Sequence, residues 1–307
     1  MNERNPSPFW SVMIPVYRPD AAHLTRALQS VLEQDPGCAE MQITVIDDAS
    51  LDVDTEPMVR TVAGDRVQFL RNEKNCGLAG CWNRCIECAR GEWVHILHQD
   101  DYVLPGFYER LKKAAADHPD VQFLATRSFV IGDDGIIQSV TARLPDLENG
   151  GRSARDFYYS NSVHCPGVAV RRDFYQNHGG FRTDLSFTID VEMWTRVITE
   201  GGGVVVPEVL AAYRIASDTA SAGMVRSAEY FEDMNRLAAI FAARYPDFDL
   251  PRARLGICAH AIYRAQQAAA AGDEAAASAM LAYWKRNTTF SQRARFHLGG
   301  IKRRLMG

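Results

Sequence analysis

Nowhere does this 307-residue chain hold an apolar run near the roughly 20 residues that a membrane-spanning helix requires. Its first residues, Met1-Asn2-Glu3-Arg4-Asn5-Pro6, lack the apolar core of a signal peptide. Both absences lead to the expectation of a cytoplasmic protein. No large charge excess exists either: a net charge of -4 supplies no general attraction to nucleic acid, and none is expected as a partner. A disulfide or zinc framework is missing. The seven cysteines are an odd number, and Cys85-x-x-Cys88 has no second pair or neighbouring histidine to complete a metal site. Cys81, Cys85 and Cys88 fall in one helical pattern and read as small buried hydrophobes in a reducing compartment. No G-x-G-x-x-G follows the first apolar strand, which argues against a dinucleotide oxidoreductase. Acids are absent after Glu274, whereas Lys285, Arg286, Arg293, Arg295, Lys302, Arg303 and Arg304 follow it. Phe290, Phe296, Leu298, Ile301 and Leu305 interleave with these cations, as in a helix lying on the inner face of a membrane, although Gly299-Gly300 interrupts it. A solvated helix face is the plainer reading of the same pattern.

What is present is ordinary for a soluble globular protein, with 47% hydrophobic and 23% charged residues. The length suits one large α/β domain with an appendage. Val12 to Val16, Ile43 to Ile46, Val67 to Leu70 and the apolar run before Asp100 read as strands. Between the first two, Leu24, Ala27, Leu28, Val31 and Leu32 mark one helix face, and a helix from about Leu78 to Ala89 is expected to stop at Gly91. Strands separated by such helices imply parallel crossover units. Gln122 to Ala125 and Phe129 to Ile131 lead into Asp133-Asp134-Gly135, a hairpin signal, so these acids read as turn chemistry. Asp146 to Arg152 reads as a surface loop, Thr188 to Glu200 as a helix, and Val204 to Val206 with Val209 to Tyr213 as closing strands. Beyond about Ser227 the chain is helical and alanine-rich, with a corner at Gly272-Asp273-Glu274.

The segment Trp93-Val94-His95-Ile96-Leu97-His98-Gln99-Asp100-Asp101 ends an apolar run in two adjacent carboxylates. Ligands of open α/β sheets gather at the carboxyl ends of strands. Two acids there ionise together only where a cation or donors sit between them, and a divalent metal carrying phosphates is one such resident. Asp47-Asp48-Ala49-Ser50 closes another strand, where carboxylates can accept from a ligand's N–H or hydroxyl groups or simply cap a turn. Asn75-Cys76-Gly77, with Asn83 on the helix behind, can bring backbone N–H groups close to a phosphate. Ser186 or Thr188 would cap the next helix, placing Asp190 in its first turn, where the dipole favours an ionised base. An acid placed there for helix stability alone remains open.

In this order the motifs Ile14-Pro15-Val16-Tyr17, Asp47-Asp48-Ala49-Ser50, Asn75 to Asn83, His98-Gln99-Asp100-Asp101 with Pro105, Gly179-Gly180-Phe181, Asp190 and Tyr213-Arg214 resemble the inverting family 2 glycosyltransferases. The resemblance implies a GT-A nucleotide-sugar-binding fold over residues 1–215, α/β with a mixed, mostly parallel central sheet flanked by helices, and a helical C-terminal region over 216–307. It implies a metal-assisted transferase moving a sugar from a nucleotide-diphosphate sugar, UDP first among them, to a hydroxyl of a glycan or lipid-linked acceptor. Pro15, Val16, Tyr17, Asp47, Asp48, Asn75, Gly77, Asn83, Gln99 and Asp101 would bind the donor, and Asp100 the metal, Mn²⁺ or Mg²⁺. Asp190 would be the general base, with His164 and Trp194 on the acceptor side. The C-terminal helices could contact the acceptor, form a homodimer or lie on a membrane, and a bacterial polysaccharide or O-antigen pathway is the expected setting. Two departures stand out: His98 occupies the first acid position of the family's DxD motif, and Ile215-Ala216-Ser217 lacks the histidine often found after Tyr-Arg. The alternatives are a non-catalytic binding module and a sugar nucleotidyltransferase. The latter usually carries a glycine-rich basic loop, absent from Pro15-Val16-Tyr17-Arg18-Pro19-Asp20.

Overall fold

The computed structural model describes residues 7–153, 157, 163–215, 227 and 229–293. The chain divides into two compact units, Met1–Asp184 with Ile189–Ala216, and Leu185–Thr188 with Ser217–Gly307. In the first, β1 (Trp10–Val16), α1 (Ala21–Leu32), β2 (Met41–Asp47), α2 (Thr55–Ala63), β3 (Gln68–Arg71), α3 (Gly77–Cys88) and β4 (Trp93–Ile96) alternate. Then come β5 (Tyr102–Val103), α4 (Phe107–Asp117), β6 (Phe123–Ile131), β7 (Ile137–Val140), α5 (Pro145–Glu148), β8 (Val168–Arg171), α6 (Arg172–His178), α7 (Ile189–Gly201) and β9 (Gly203–Arg214). The sheet runs β3-β2-β1-β4-β8-β6-β9-β5, with β7 paired to β6. Its first four strands are parallel; β8 runs antiparallel to both β4 and β6, and β9 is parallel to β6. The expected mixed, mostly parallel sheet is therefore present. Because β1 pairs with β2 on one side and β4 on the other, the strand order reverses there, and it is beyond the carboxyl ends at such a point that open α/β sheets have their ligand-binding crevice.

Local chemistry explains these elements. Every residue of β2 is buried, as expected of a parallel strand covered on both faces. The α1 stripe of Leu24, Ala27, Leu28 and Val31 enters the core with Val12, Ile14, Val45 and Trp93. The Asp20 side chain accepts from the N–H groups of Ala22 and His23 and fixes where that helix starts.

Several expectations need correcting. Gly91 does not cap α3, which ends in an extended Ala89. A Cβ on Gly91 would lie 2.5 Å from Ser11 N and Trp10 C, so the glycine lets the chain pass against β1. Gly91→Ala should lower stability by about 1–3 kcal/mol, read as a fall in urea midpoint, because the obstacle is backbone that cannot yield. The strand before the acids ends at Ile96, so His98 to Asp101 sit on a loop. The segments on either side of Thr126 form one strand, as do those around Pro207. Register shifts at Thr126, Arg127 and Ser128 absorb the prolyl residue that lacks an N–H. The 146–152 segment is anchored, since Leu147 is fully buried and Gly151 pairs with Gly203. Asp134 does serve the hairpin turn, accepting from Ile136 N.

The second unit contains helices Glu229–Arg244, Leu250–Ala270 and Glu274–Asn287, packed through Phe231, Phe241, Met280 and Tyr283. Asp273 caps the last of them through Ala276 N. Asp233 accepts from the N–H groups of Ser186, Phe187 and Thr188 and from the Thr188 hydroxyl. Thr188 therefore gives its hydroxyl proton to Asp233 and is not a simple helix cap. Among the described residues no helix is long and apolar enough to cross a membrane. Arg286 pairs with Glu232, and Phe290 is exposed. The membrane-contact residues Arg295, Lys302, Arg303, Arg304, Phe296, Leu298, Ile301 and Leu305 lie outside the described residues, as do Ala216 and Ser217. All seven cysteines are free, four of them buried.

Candidate active site

The crevice is built where β1, β2 and β4 end. Two non-glycine residues there hold left-handed backbone, Arg18 at φ 47° and Ala49 at φ 61°. They are fixed by Arg18 N donating to Ser50 Oγ and Asp48 N donating to Val16 O, both at 2.8 Å. The side chain of Tyr17 stays exposed beside them, with the Arg18 guanidinium 5.2 Å from its ring centroid. Pro15 and Val16 contribute backbone at the end of β1, Val16 being buried.

Most amides and acids assigned to the donor prove to be holding loops. Asp47 is fully buried and accepts from Arg71 Nε at 2.8 Å and Ser50 N at 3.0 Å. Asp48 accepts from Asn72 Nδ2, Cys76 N and Gly77 N. The first N–H groups of α3 are thus taken by a protein carboxylate, which corrects the expectation of a free phosphate cradle at Asn75 and Gly77. Asn75 itself bridges Asp48 O and Gly77 N. Gln99 grips Tyr17 through both amide atoms, accepting from its N at 2.8 Å and donating to its O at 3.1 Å. Asn83 does the same to Phe181, at 2.7 and 2.9 Å. Each amide thus spends one N–H and one oxygen lone pair on holding a loop. Gly180 follows from the Asn83 clamp, since a Cβ there would lie 2.2 Å from Asn83 Oδ1.

The acids converge. His98, Asp100 and Asp101 each offer a ligand atom, and these atoms lie within 4.8 Å of one another. Asp101 is 1% exposed; its Oδ1 accepts from Arg214 N at 2.8 Å, and its Oδ2 has no hydrogen-bond partner. Burial, helped by the charge of Asp100, pushes the Asp101 carboxyl up to about 6. Burial opposes protonation of His98, but Cys165 and Asp101 beside it outweigh this and hold its pKa well above the usual value. Arg214 fixes the loop by donating to Asp100 O and to Gly132 O and Asp133 O of the hairpin turn.

Asp190, far away in sequence, joins them. It stands in the first turn of α7, half-buried, with Oδ1 accepting from Val191 N at 2.8 Å. Burial and then the charges of Asp101, Asp190 and Asp100 push the Tyr213 hydroxyl up, so all three carboxylates act on one phenol. His164 stacks on Tyr213 at 4.3 Å and 13°, and burial pushes it down to about 4, leaving it neutral near pH 7. Trp194 is misassigned to the acceptor side: it is 2% exposed, in the core against Phe123 and Phe181. Behind it, Glu192 pairs with Arg196, whose guanidinium also donates to the carbonyls of His178, Gly179 and Gly180. Tyr213, Cys165 and Trp82, which stacks on His98 at 4.9 Å, had no sequence-derived role; only the Tyr213-Arg214 motif signalled the first. A cavity of about 450 Å³ opens elsewhere, at the start of β2 and β3 among Arg60, Arg66 and Arg90, and contains none of these acids.

A second histidine has a different use. His95 is fully buried, with Nδ1 3.0 Å from Tyr108 OH and Nε2 3.0 Å from Pro166 O, tying β4 to the turn that carries Cys165. Burial, and less strongly His98, pushes it down to about 3 against the Pro166 contact. A folded pKa below the unfolded 6.5 means that its contribution is complete above pH 6.5 and is lost as pH falls toward about 3. By about pH 4.5 that costs about 2–3 kcal/mol. Urea titrations across this window should show a slope about one proton smaller in His95→Phe than in the wild type.

The model of the family described as "Glycosyl transferase family 2" matches residues 11–179. An uncharacterized protein of Mycobacterium tuberculosis, MT1568, is 30% identical over 246 residues, covering 76% of each chain. Among solved structures, the mannosyltransferase PcManGT of Pyrobaculum calidifontis, in complex with GDP-Man and Mn²⁺, matches with a TM-score of 0.61 and 19% identity over 96% of this chain and 80% of that one. TarS 1-349 of S. aureus with UDP-GlcNAc matches with a TM-score of 0.59 and 16% identity, covering 82% and 71%. At these identities the structures speak to the fold, which is that of GT-A enzymes. With motifs, sheet and family model in agreement, the chain belongs to glycosyl transferase family 2 and is a glycosyltransferase.

Proposed function

We propose that this glycosyltransferase moves a sugar from a nucleoside-diphosphate sugar to a hydroxyl of a glycan or lipid-linked acceptor, with inversion and with Asp190 as base. The observation carrying this is the cluster of His98, Asp100 and Asp101, whose ligand atoms lie within 4.8 Å of one another, with the charge of Asp190 acting alongside Asp100 and Asp101 on the same buried Tyr213 hydroxyl. An ionised carboxylate on the first turn of α7 takes the proton of the acceptor hydroxyl while that oxygen attacks the anomeric carbon. The bond to the diphosphate oxygen breaks as the new one forms, so configuration inverts in a single displacement. No enzyme nucleophile is needed, which leaves His164 and Cys165 without a covalent role. Neutral His164, stacked on Tyr213, lines the acceptor side.

The residues fit a divalent cation. Asp101 Oδ2 is buried without a normal hydrogen bond, facing only His98 Nδ1 at 3.4 Å, beside partly exposed Asp100, which is where a hard cation would ease the repulsion of two neighbouring acids. Asp100 and Asp101 would hold it; bound Mn²⁺ or Mg²⁺ would neutralise charge on the departing diphosphate. The exposed Tyr17 ring, with the loops that Gln99, Asp47 and Asp48 hold, would receive the nucleoside. UDP is the nucleotide we favour, on the TarS complex, and GDP its rival, on that of PcManGT.

The test is release of nucleoside diphosphate from UDP-, GDP-, CDP- and dTDP-sugars with Mn²⁺ and pooled bacterial glycan acceptors, with the product's anomeric configuration read by NMR. Inverted product from one donor class supports the proposal. Retained configuration overturns the single displacement, and binding without turnover favours a non-catalytic module.

A further inference from the structure

We propose that His98 is itself a ligand of the divalent cation, through Nδ1, whose proton leaves to solvent as the ion binds, giving the site one nitrogen donor and shifting its preference from Mg²⁺ toward Mn²⁺ and Co²⁺. This rests on the metal-assisted function proposed above and concerns the residue by which this chain departs from the family's acid motif. Nδ1 of His98 lies 3.4 Å from Asp101 Oδ2, beyond the usual N–H···O range of roughly 2.7–3.2 Å. That carboxylate oxygen is buried and has no hydrogen-bond partner. Two donors each about 2.1 Å from one ion lie about 3 Å apart when adjacent and about 4.2 Å apart when opposite. The His98, Asp100 and Asp101 donors lie within 4.8 Å of one another, so a side-chain adjustment of roughly half an ångström brings them onto one ion.

The imidazole is held in place before any ion arrives. Its ring stacks on Trp82 at 4.9 Å and 27°, and its side chain is 22% exposed. Among the described residues the other nearby imidazoles are placed differently. Both nitrogens of His95 are engaged by Tyr108 and Pro166, and His164 stacks on Tyr213. Ile215, Ala216 and Ser217 offer none in the segment after Tyr213-Arg214. Mg²⁺ demands oxygen donors and sheds water reluctantly, whereas imidazole binds first-row transition ions in the order Mn²⁺ below Co²⁺. One carboxylate exchanged for one imidazole therefore changes which ion is preferred as well as how tightly it is held.

Mn²⁺ with UDP or GDP is the probe, and pulsed EPR of ¹⁴N modulation is the readout, alongside calorimetric titration of Mg²⁺, Mn²⁺ and Co²⁺. The wild type should show histidine nitrogen coupling to Mn²⁺. His98→Asp should bind Mn²⁺ without that coupling, and its affinity for Mg²⁺ relative to Mn²⁺ should rise roughly tenfold. His98→Gln, checked for an unchanged circular dichroism spectrum, should lose the coupling too. Mn²⁺ bound without ¹⁴N coupling in the wild type, or coupling that persists in His98→Asp, overturns the ligand assignment and leaves metal assistance standing. Failure of the wild type to bind Mn²⁺ with either nucleotide overturns both.

Discussion

Asp190→Asn is expected to lower kcat by about 10²- to 10⁴-fold, the usual worth of a positioned general base, with donor affinity unchanged. The asparagine carbonyl can still accept from Val191 N, so the start of α7 keeps its hydrogen bond and only the proton acceptor disappears. Donor binding by calorimetry and turnover by nucleotide release separate the two effects. A loss confined to kcat fits a residue that acts after the donor is bound. A variant within tenfold of wild-type kcat would mean that another group takes the proton.

Arg196→Met should be the most damaging single change to stability. Glu192 and Arg196 are 3% and 6% exposed, and the guanidinium also satisfies the carbonyls of His178, Gly179 and Gly180. Removing it leaves a carboxylate buried without its counter-charge and costs about 3–5 kcal/mol. Urea denaturation measures this directly. Glu192→Leu combined with Arg196→Leu should recover part of the loss, because no buried charge then remains unpaired. A loss below about 1 kcal/mol for the single variant would show that water reaches Glu192.

Which acids close the strands could be read from the chain, whereas what their side chains touch could not. Strand ends carry a local signature, an apolar run stopping at acids, so Asp47, Asp48, Asp100 and Asp101 were found, and the helix pattern brought in Asp190. The partners of those groups come from distant sequence. Gln99 reaches Tyr17 across 82 positions and Asn83 reaches Phe181 across 98. An amide that grips a backbone is indistinguishable in one dimension from an amide that grips a ligand. Trp194 failed for a related reason: it lies one turn beyond Asp190, and only the packing of Phe123 and Phe181 shows that it faces the core. Gly91 looked like a helix cap because its second constraint, the passage against Trp10 and Ser11, is tertiary. The strands around Pro207 were split because a proline normally ends a pattern, and the bulge that accommodates it is a property of the pair.

The central claim is that Asp100 and Asp101 hold a cation that in turn holds the donor diphosphate. Calorimetric titration of UDP- and GDP-sugars into wild type and Asp100→Ala, each with and without Mn²⁺, tests it most directly. Binding of one donor that strengthens at least about tenfold with Mn²⁺ in the wild type and is indifferent to Mn²⁺ in Asp100→Ala is the result expected. Donor binding of equal strength in both proteins, with or without the metal, would contradict it.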